Sequence, residues 1–316
     1  MQKTQGSPQR HVLGDWGTTR LRLWLVEDGD IVASGEGPGI GALSAPPAQV
    51  LATLVSPWRR APEPLRVVLS GMAGSRNGLL EAPYAATPSD VAKWSRATLF
   101  TELPGLQVAL ATGLCDESRA APDVMRGEET QVYGALQLDA TLRSGSHLLV
   151  LPGTHSKWVD IEDGAIVRFR TVLTGEMFAL LRDHSILLKA GARADANPAD
   201  ADAGFAAGVK RSEHAPEGLL GALFEVRTMQ LLRQRSRAWA AAFLSGLLIG
   251  EEIAGMSARR RDIHVVKIIA DAQLGALYRQ AFAARGLAAH ALDGAACAIA
   301  GLRELTAALN PSAPWT

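Results

Sequence analysis

Cysteine is scarce in this chain: it occurs twice in 316 residues, at Cys115 and Cys297. Two distant thiols make neither a disulfide framework nor the close spacing of a metal site, so both are expected to be free in a reducing compartment. Charge of one sign is lacking too. Lys and Arg number 32, Asp and Glu 32, which leaves no basic surplus for nucleic acid or an anionic membrane surface. Long apolar runs are also missing. The longest, Ala238 to Ile249, is interrupted by Ser245 and Gly246 and is too short to span a bilayer. Residues 1–10 are polar with no apolar centre, unlike a secretory signal. A cytoplasmic location is expected, with no nucleic-acid or membrane partner.

What remains is an ordinary soluble balance, 47% hydrophobic and 20% charged, in a chain long enough for about two domains with a real core. The stretch Leu13-Gly14-Asp15-Trp16-Gly17-Thr18-Thr19-Arg20 organises the rest. Apolar Val12-Leu13 leads into a turn with one acid, glycine and two hydroxyls. Then Leu21, Leu23 and Leu25 alternate with Arg22 and Trp24, as a half-buried strand requires. Asp28-Gly29 signals a hairpin, and Ile31-Val32-Ala33 a return strand. The turn joins two strands and opens no helix, so it is not a Walker A loop. Its backbone N–H groups and hydroxyls can hold phosphate oxygens, and Asp15 can hold a hydrated magnesium ion beside them.

Further along, Gly35 to Gly41 reads as a flexible glycine-rich loop. A helix is expected over Gln49 to Trp58, strands over Arg66 to Leu69 and Gln107 to Leu110, and a loop over Thr112 to Pro122. Asp123 to Thr130 enters a helix ending near Leu138. The second half then repeats the first. Leu148 to Leu151 is apolar, Pro152-Gly153-Thr154-His155-Ser156-Lys157 is a small polar turn, and Trp158 to Ile161 is a strand. Asp163-Gly164 is a hairpin, and Ile166 to Val172 returns. Gly17-Thr18 recurs as Gly153-Thr154 and Asp28-Gly29 as Asp163-Gly164 at nearly one offset, which marks a duplicated unit. After it, Gly175 to Leu188 is expected as a helix and Ala192 to Gly204 as a mobile loop. Glu217 to Leu232 and Ser236 to Met256 follow as helices, with Gly246 and Gly250 allowing close packing. A strand (Val265 to Ile269), a helix (Gln273 to Ala284), a short strand and a final helix from Gly294 to Leu309 complete the chain.

Two such turns, one per lobe, suit phosphoryl transfer. One would hold the β-phosphate and the other the γ-phosphate of ATP, because the reaction needs positioning and charge neutralisation more than covalent chemistry. Asp15 with magnesium, Thr18, Thr19, Thr154 and Lys157 supply the groups. Arg20 is equally well a surface strand residue.

The chain resembles the 2-dehydro-3-deoxygalactonokinase family of the actin-like sugar-kinase superfamily. Carrying the resemblance are Asp15-Trp16-Gly17-Thr18-Thr19, Gly71-Met72-Ala73-Gly74-Ser75, Ala82-Pro83-Tyr84 and Val124-Met125-Arg126-Gly127-Glu128-Glu129-Thr130. Also matching are Pro152 to Trp158, Phe169 to Glu176, Leu223-Phe224-Glu225-Val226-Arg227 and Phe243 to Gly250. The resemblance implies an α/β fold of two ribonuclease-H-like lobes, residues 1–145 and 146–316, around a central nucleotide and substrate cleft. The terminal helix, 294–309, can pack on the first lobe. The implied activity is ATP- and Mg2+-dependent phosphorylation of 2-dehydro-3-deoxy-D-galactonate at its 6-hydroxyl, in galactonate breakdown. One departure stands out: Ile269-Ala270-Asp271-Ala272 occupies a place where the superfamily puts a glycine-containing turn against adenosine.

Roles follow as expectations. Asp15 holds magnesium. Gly17, Thr18, Thr19, Gly153, Thr154 and His155 bind phosphates, and Lys157 neutralises developing charge unless it is merely a strand-end surface lysine. The substrate carboxylate calls for arginine: Arg126 first, with Ser75 and Tyr84 beside it, and Arg170 second. The base is Glu128 or Asp15, although Glu128 also suits a helix N-terminus. Glu176 shares that ambiguity. Trp16 and Trp158 are expected to pack under the turns, and His147, His184 and His264 to be structural. A small sugar acid is the expected partner, and a homodimer is compatible with the chain. The alternatives are another small-molecule kinase of the superfamily, a ligand sensor that has lost the chemistry, and a chaperone-like ATPase.

Overall fold

The structure, a computed structural model, describes residues 10–189, 198–214, 217–258 and 265–309. Packing divides them into two units. The first comprises the described residues up to Ser146, Ile161–Phe169 and the chain from Gly294. The second comprises His147–Asp160 and Arg170–Asp293. The terminal helix, expected to be able to pack on the first lobe, groups with it, and residues 161–169 join it across the expected boundary near Gly145. Ser89 and Ile166 exchange backbone hydrogen bonds of 2.9 Å, and the Asp116 carboxylate accepts from the Phe169 N–H at 3.2 Å. These bonds bind 161–169 to the first unit.

The first unit contains β1 (Arg10–Trp16), β2 (Arg20–Glu27), β3 (Asp30–Pro38), α1 (Pro47–Val55), β4 (Leu65–Gly71), β5 (Tyr84–Ala86), α2 (Val91–Arg96), β6 (Leu99–Leu103), β7 (Leu106–Leu110), β8 (Gly113–Asp116), β9 (Asp123–Met125) and α3 (Glu128–Leu138). Its main sheet has the order β3-β2-β1-β4-β7-β6. β1, β4 and β7 run parallel, while β2 is antiparallel to β1 and β3 to β2. Alternation in β2 buries Leu21, Leu23 and Leu25 against Val12, Leu51, Val67 and Val108. Asp28 and Gly29 have φ of 50° and 92°, the left-handed pair of a two-residue hairpin turn. Asp163 and Gly164, at 47° and 78°, make the same turn in the second sheet.

Gly35 to Gly41 is no flexible loop. β3 runs through it to Pro38, and the next residues fold against the Gly17–Thr19 turn. Within 112–122 lies β8, part of a small sheet β5-β8-β9 whose three- and four-residue strands carry too little periodicity to be read.

The second sheet is built from β10 (Ser146–Leu151), β11 (Ser156–Glu162), β12 (Ala165–Val172), β13 (Val265–Ala270) and β14 (Ala288–Asp293). Its order, β12-β11-β10-β13-β14, repeats that of β3-β2-β1-β4-β7. Around it lie α4 (Thr174–His184), α5 (Pro198–Ser212), α6 (Gly218–Leu223), α7 (Glu225–Arg233), α8 (Arg237–Ser257) and α9 (Ala272–Ala284). Residues 198–204, expected as loop, begin α5, and 192–197 lie outside the described residues, as does His264. The single helix expected over 217–232 is two, α6 and α7. α8 has the length and composition of a membrane-crossing helix, yet more than half of its apolar window is buried inside the protein. It meets α5 through glycines: a Cβ on Gly208 would lie 2.2 Å from the Phe243 carbonyl, and one on Gly246 2.2 Å from that of Phe205.

The last helix, α10 (Gly294–Ala308), lies on α3 in the same way. A Cβ on Gly301 would fall 1.9 Å from the Thr130 carbonyl oxygen, and one on Gly134 1.8 Å from that of Cys297. Gly301→Ala must therefore spread this crossing, at a cost of about 1–3 kcal/mol. A thermal-unfolding scan should show a clear drop in midpoint, whereas Gly255→Ala, where nothing lies within 4 Å, should leave it unchanged or slightly raised.

Candidate active site

In the first unit the site starts where β1 and β4 end side by side, with Asp15 opposite Ser70 and Trp16 opposite Gly71. Trp16 is fully buried and donates from Nε1 to the Pro38 carbonyl at 3.1 Å, so it packs under the turn. The turn itself is clamped by main chain. N–H groups of Gly39, Ile40 and Gly41 donate to the carbonyls of Thr19, Gly17 and Thr18 at 2.9–3.1 Å. Gly39 must be glycine for this, since its Cβ would lie 2.3 Å from Thr18 O. With those carbonyls occupied, Thr18 and Thr19 form an exposed tip beside half-buried Gly17.

Asp15 faces Arg22, its cross-strand neighbour, and the two form an ion pair of 2.5 Å. Sequence reading weighed Arg20 and passed over Arg22. Arg20 reaches only exposed Glu36, at 3.6 Å. The missed signal is register: in a two-residue-loop hairpin, Asp15 and Arg22 must lie opposite each other.

Gly71 has φ 77° and Gly127 φ 107°. A Cβ on Gly127 would sit 3.1 Å from Gly71 Cα, and one on Gly71 2.6 Å from Trp16 O. This close stack brings the start of α3 onto the end of β4. It places Arg126 beside the 72–75 turn, where a Cβ on Gly74 would lie 2.9 Å from Arg126 Nη1. The guanidinium stacks 4.3 Å over the Tyr84 ring and donates from Nη2 to the Ala82 carbonyl at 2.7 Å. Its Nε and Nη1 are buried with no hydrogen-bond partner. The Ser75 hydroxyl donates to Met72 O at 2.8 Å. The structure thus brings Ser75, Tyr84 and Arg126 together. Arg170 lies on β12, among the residues of the second unit, and already engages other groups of the protein.

The start of α3 carries two acids of different character. Glu128 accepts the Arg126 backbone N–H at 3.1 Å, a helix-entry role. Glu129, not singled out from sequence, is fully buried, accepts the Gly127 N–H at 2.7 Å and lies 3.1 Å from the Thr130 hydroxyl. Burial pushes its carboxyl up to about 8, with the Glu128 charge adding to the shift. Two adjacent acids in a helix entry look alike in sequence; only packing decides which turns inward.

In the second unit the equivalent turn, Gly153–His155, lies against the start of α4. A Cβ on Gly175 would fall 2.3 Å from Gly153 O. The Glu176 N–H donates to Thr154 O at 2.9 Å, and its carboxylate meets His155 Nε2 at 2.6 Å. Lys157 is buried, not at the surface, and its ammonium donates to the His155 carbonyl at 3.0 Å. Gly153, Thr154, Thr174 and Gly175 are among the residues that line a cavity of 610 Å³. Its other walls include Phe178, Phe205, Leu248, Leu274 and Leu277, with Asp271 and Gln273 at an edge. Asp271 caps α9, accepting the Leu274 N–H at 2.8 Å, which gives the departure from the glycine-containing turn a local reason. Beneath the turn, Trp158 Nε1 donates to buried Glu252 at 2.7 Å. Among the described residues, no three carboxylate, imidazole or thiolate groups gather as a metal site.

Comparison with known proteins decides the family. The model of the 2-keto-3-deoxy-galactonokinase family matches residues 15–305. The chain belongs to this family. It is 40% identical, over 94% of its length and 96% of the relative's, to a probable 2-dehydro-3-deoxygalactonokinase of Rhizobium meliloti. It is 39% identical to the 2-dehydro-3-deoxygalactonokinase of Escherichia coli, covering 95% of this chain and 98% of that one. A crystal structure of a 2-dehydro-3-deoxygalactonokinase protein from Sinorhizobium meliloti superposes with a TM-score of 0.85 at 37% identity, over 95% and 99% of the two chains. The fold is the actin-like α/β fold of sugar kinases, and the protein is an ATP-dependent kinase of galactonate catabolism.

Glu129 yields a pH prediction. Its folded pKa of about 8 lies above the unfolded value of 4.5, so the folded state holds the proton between them. The associated stability is complete below pH 4.5 and is lost as pH rises through about 8. Over that window wild type should lose up to about 1.4 kcal/mol per pH unit relative to Glu129→Gln. Across about three pH units ending just above pH 8 the unfolding midpoint of wild type should fall relative to that of Glu129→Gln; parallel curves would exclude the buried, neutral acid.

Proposed function

We propose that the protein transfers the γ-phosphoryl group of ATP to the 6-hydroxyl of 2-dehydro-3-deoxy-D-galactonate. The observation that carries the substrate reading is Arg126. Its guanidinium is fixed by the Ala82 carbonyl and the Tyr84 ring, and two further donors, Nε and Nη1, have no protein acceptor. Burying such donors unpaired is costly, and a substrate carboxylate against an edge of the guanidinium would supply a missing acceptor. Ser75 and Tyr84 offer hydroxyls to the same substrate. Glu128, joined to the Arg126 backbone, is proposed to take the proton of the acceptor hydroxyl, and Arg170 is kept as a second carboxylate contact.

ATP fits the second unit. The cavity of 610 Å³ is lined by the Gly153-Thr154 turn and the start of α4 and also by apolar side chains, which suit phosphates and a base respectively. Gly153, Thr154 and the main chain of His155 would hold phosphate oxygens there, with Lys157 supplying positive charge beneath the turn. In the first unit Gly17, Thr18 and Thr19 would do likewise. Magnesium usually keeps most of its waters and takes one or two carboxylates plus phosphates. Asp15, held by Arg22, fits that role; the ion would neutralise phosphate charge during transfer. With two free thiols, a cytoplasmic location is proposed.

Turnover of ATP should require 2-dehydro-3-deoxy-D-galactonate and fall sharply with its gluconate epimer. Arg126→Ala should raise KM for the sugar acid about 100-fold, as expected for losing a charge-assisted hydrogen bond, with KM for ATP nearly unchanged. Arg126→Lys should not rescue it, since an ammonium lacks the planar fork. Asp15→Ala should collapse kcat. Ser245→Trp, which fills the cavity, should weaken ATP without touching sugar-acid affinity. No turnover of either sugar acid by a folded protein that binds ATP would refute the substrate assignment.

A further inference from the structure

Glu252 is a carboxylate with no place in the reaction described above, and it is almost wholly buried. It lies on α8, one residue after Glu251, and Oε1 accepts the Trp158 indole N–H at 2.7 Å. Oε2 accepts the Tyr278 hydroxyl at 2.5 Å, and that hydroxyl is 3.0 Å from Ser156 Oγ. The Thr174 hydroxyl also bonds the carboxylate. These partners are not scattered. Ser156 directly follows the Gly153–His155 turn and Trp158 is two residues further along β11. Thr174 opens α4, whose next residue touches Gly153 O. Tyr278 is on α9, and Thr174 and Tyr278 both line the cavity. One buried carboxylate thus ties together the strand that leaves the turn, the helix start packed on it, and α9.

An apolar side chain would fill this place without the desolvation cost of a carboxyl. Burial indeed raises the Glu252 carboxyl above its ordinary range, so the group is kept where charge is disfavoured. What a carboxyl gives and a leucine cannot is a set of directional bonds to separate elements, which fixes the spacing between the turn and α4. We propose that Glu252 is a positioning residue of the ATP pocket: through Trp158, Tyr278, Ser156 and Thr174 it holds the Gly153–His155 turn and the start of α4 in the arrangement that receives the nucleotide phosphates. The proposal rests on the reading of this cavity as the ATP site.

The test compares Glu252→Ala, Glu252→Gln and Tyr278→Phe. In Glu252→Gln the amide oxygen can still accept from Trp158. The amide nitrogen can donate to Tyr278, whose hydroxyl then turns to Ser156. Glu252→Ala should raise KM for ATP about tenfold or more, leave KM for the sugar acid within about twofold, and lower kcat less than KM rises. Glu252→Gln should restore KM for ATP to within about threefold of wild type, and Tyr278→Phe should fall between. If Glu252→Ala does not fold, Tyr278→Phe against Glu252→Gln decides the question. Unchanged KM for ATP in Glu252→Ala or Tyr278→Phe, with only a lower unfolding midpoint, overturns the positioning role. So does a Gln variant as impaired as Ala. The cavity-filling Ser245→Trp separates the two levels. If it leaves KM for ATP unaltered, the pocket reading itself fails. If it raises KM while the Glu252 and Tyr278 variants do not, only the positioning role fails.

Discussion

The parallel pairing of β1 with β4 is the constraint on which the first unit's site depends. It brings Asp15 level with Ser70 and Trp16 level with Gly71, at the carboxyl ends of adjacent strands, where open α/β sheets place their ligands. The chain leaves β1 for an antiparallel partner on one side and pairs with β4 on the other, so the ends diverge just past Trp16. Gly71 and Gly127 then stack without side chains between them. That contact sets the entry of α3 and, with it, Arg126, Glu128 and Glu129. A Cβ at either glycine would be strained by its positive φ and would move the arginine from the Tyr84 ring.

The second sheet repeats the strand order and the turn, yet it is finished differently. The first turn is closed by main-chain bonds from Gly39 to Gly41. The second is closed by a helix start and a buried polar network around Glu252. Each device satisfies the turn's polar groups from behind, which leaves its exposed side for other partners. The tryptophans share a position beneath the turns but not a bond: Trp16 donates to a carbonyl, Trp158 to a carboxylate.

Much of this was legible along the chain because the signals are local. The alternation of Leu21, Leu23 and Leu25, the two Asp-Gly turns and the near-constant offset between the halves depend only on side-chain period and φ preference. The same holds for Arg126. Its guanidinium was a candidate by chemistry alone, and folding placed Tyr84 and the 72–75 turn around it. Other assignments failed where length or context ran out. The short strands β5, β8 and β9 have no readable period. The glycines of 35–41 suggested flexibility, but Gly39 and Gly41 let main chain touch main chain, and Gly35 and Gly37 make room for Trp58 and Leu54. Lys157 was weighed as a surface residue because strand-end lysines usually are, and it is buried under the turn it follows.

The sequence by itself determined the hairpins, the duplicated turn, the family and the residue types a phosphoryl transfer needs, since each is written in neighbouring positions. Only the tertiary structure decided which of those residues share an environment. Asp15 meets Arg22 through register, Glu129 rather than Glu128 turns inward, Arg126 stacks on Tyr84, and Glu252 reaches three elements far away in the chain. Burial, charge pairing and the convergence of distant donors are properties of packing. Local propensity carries no record of them.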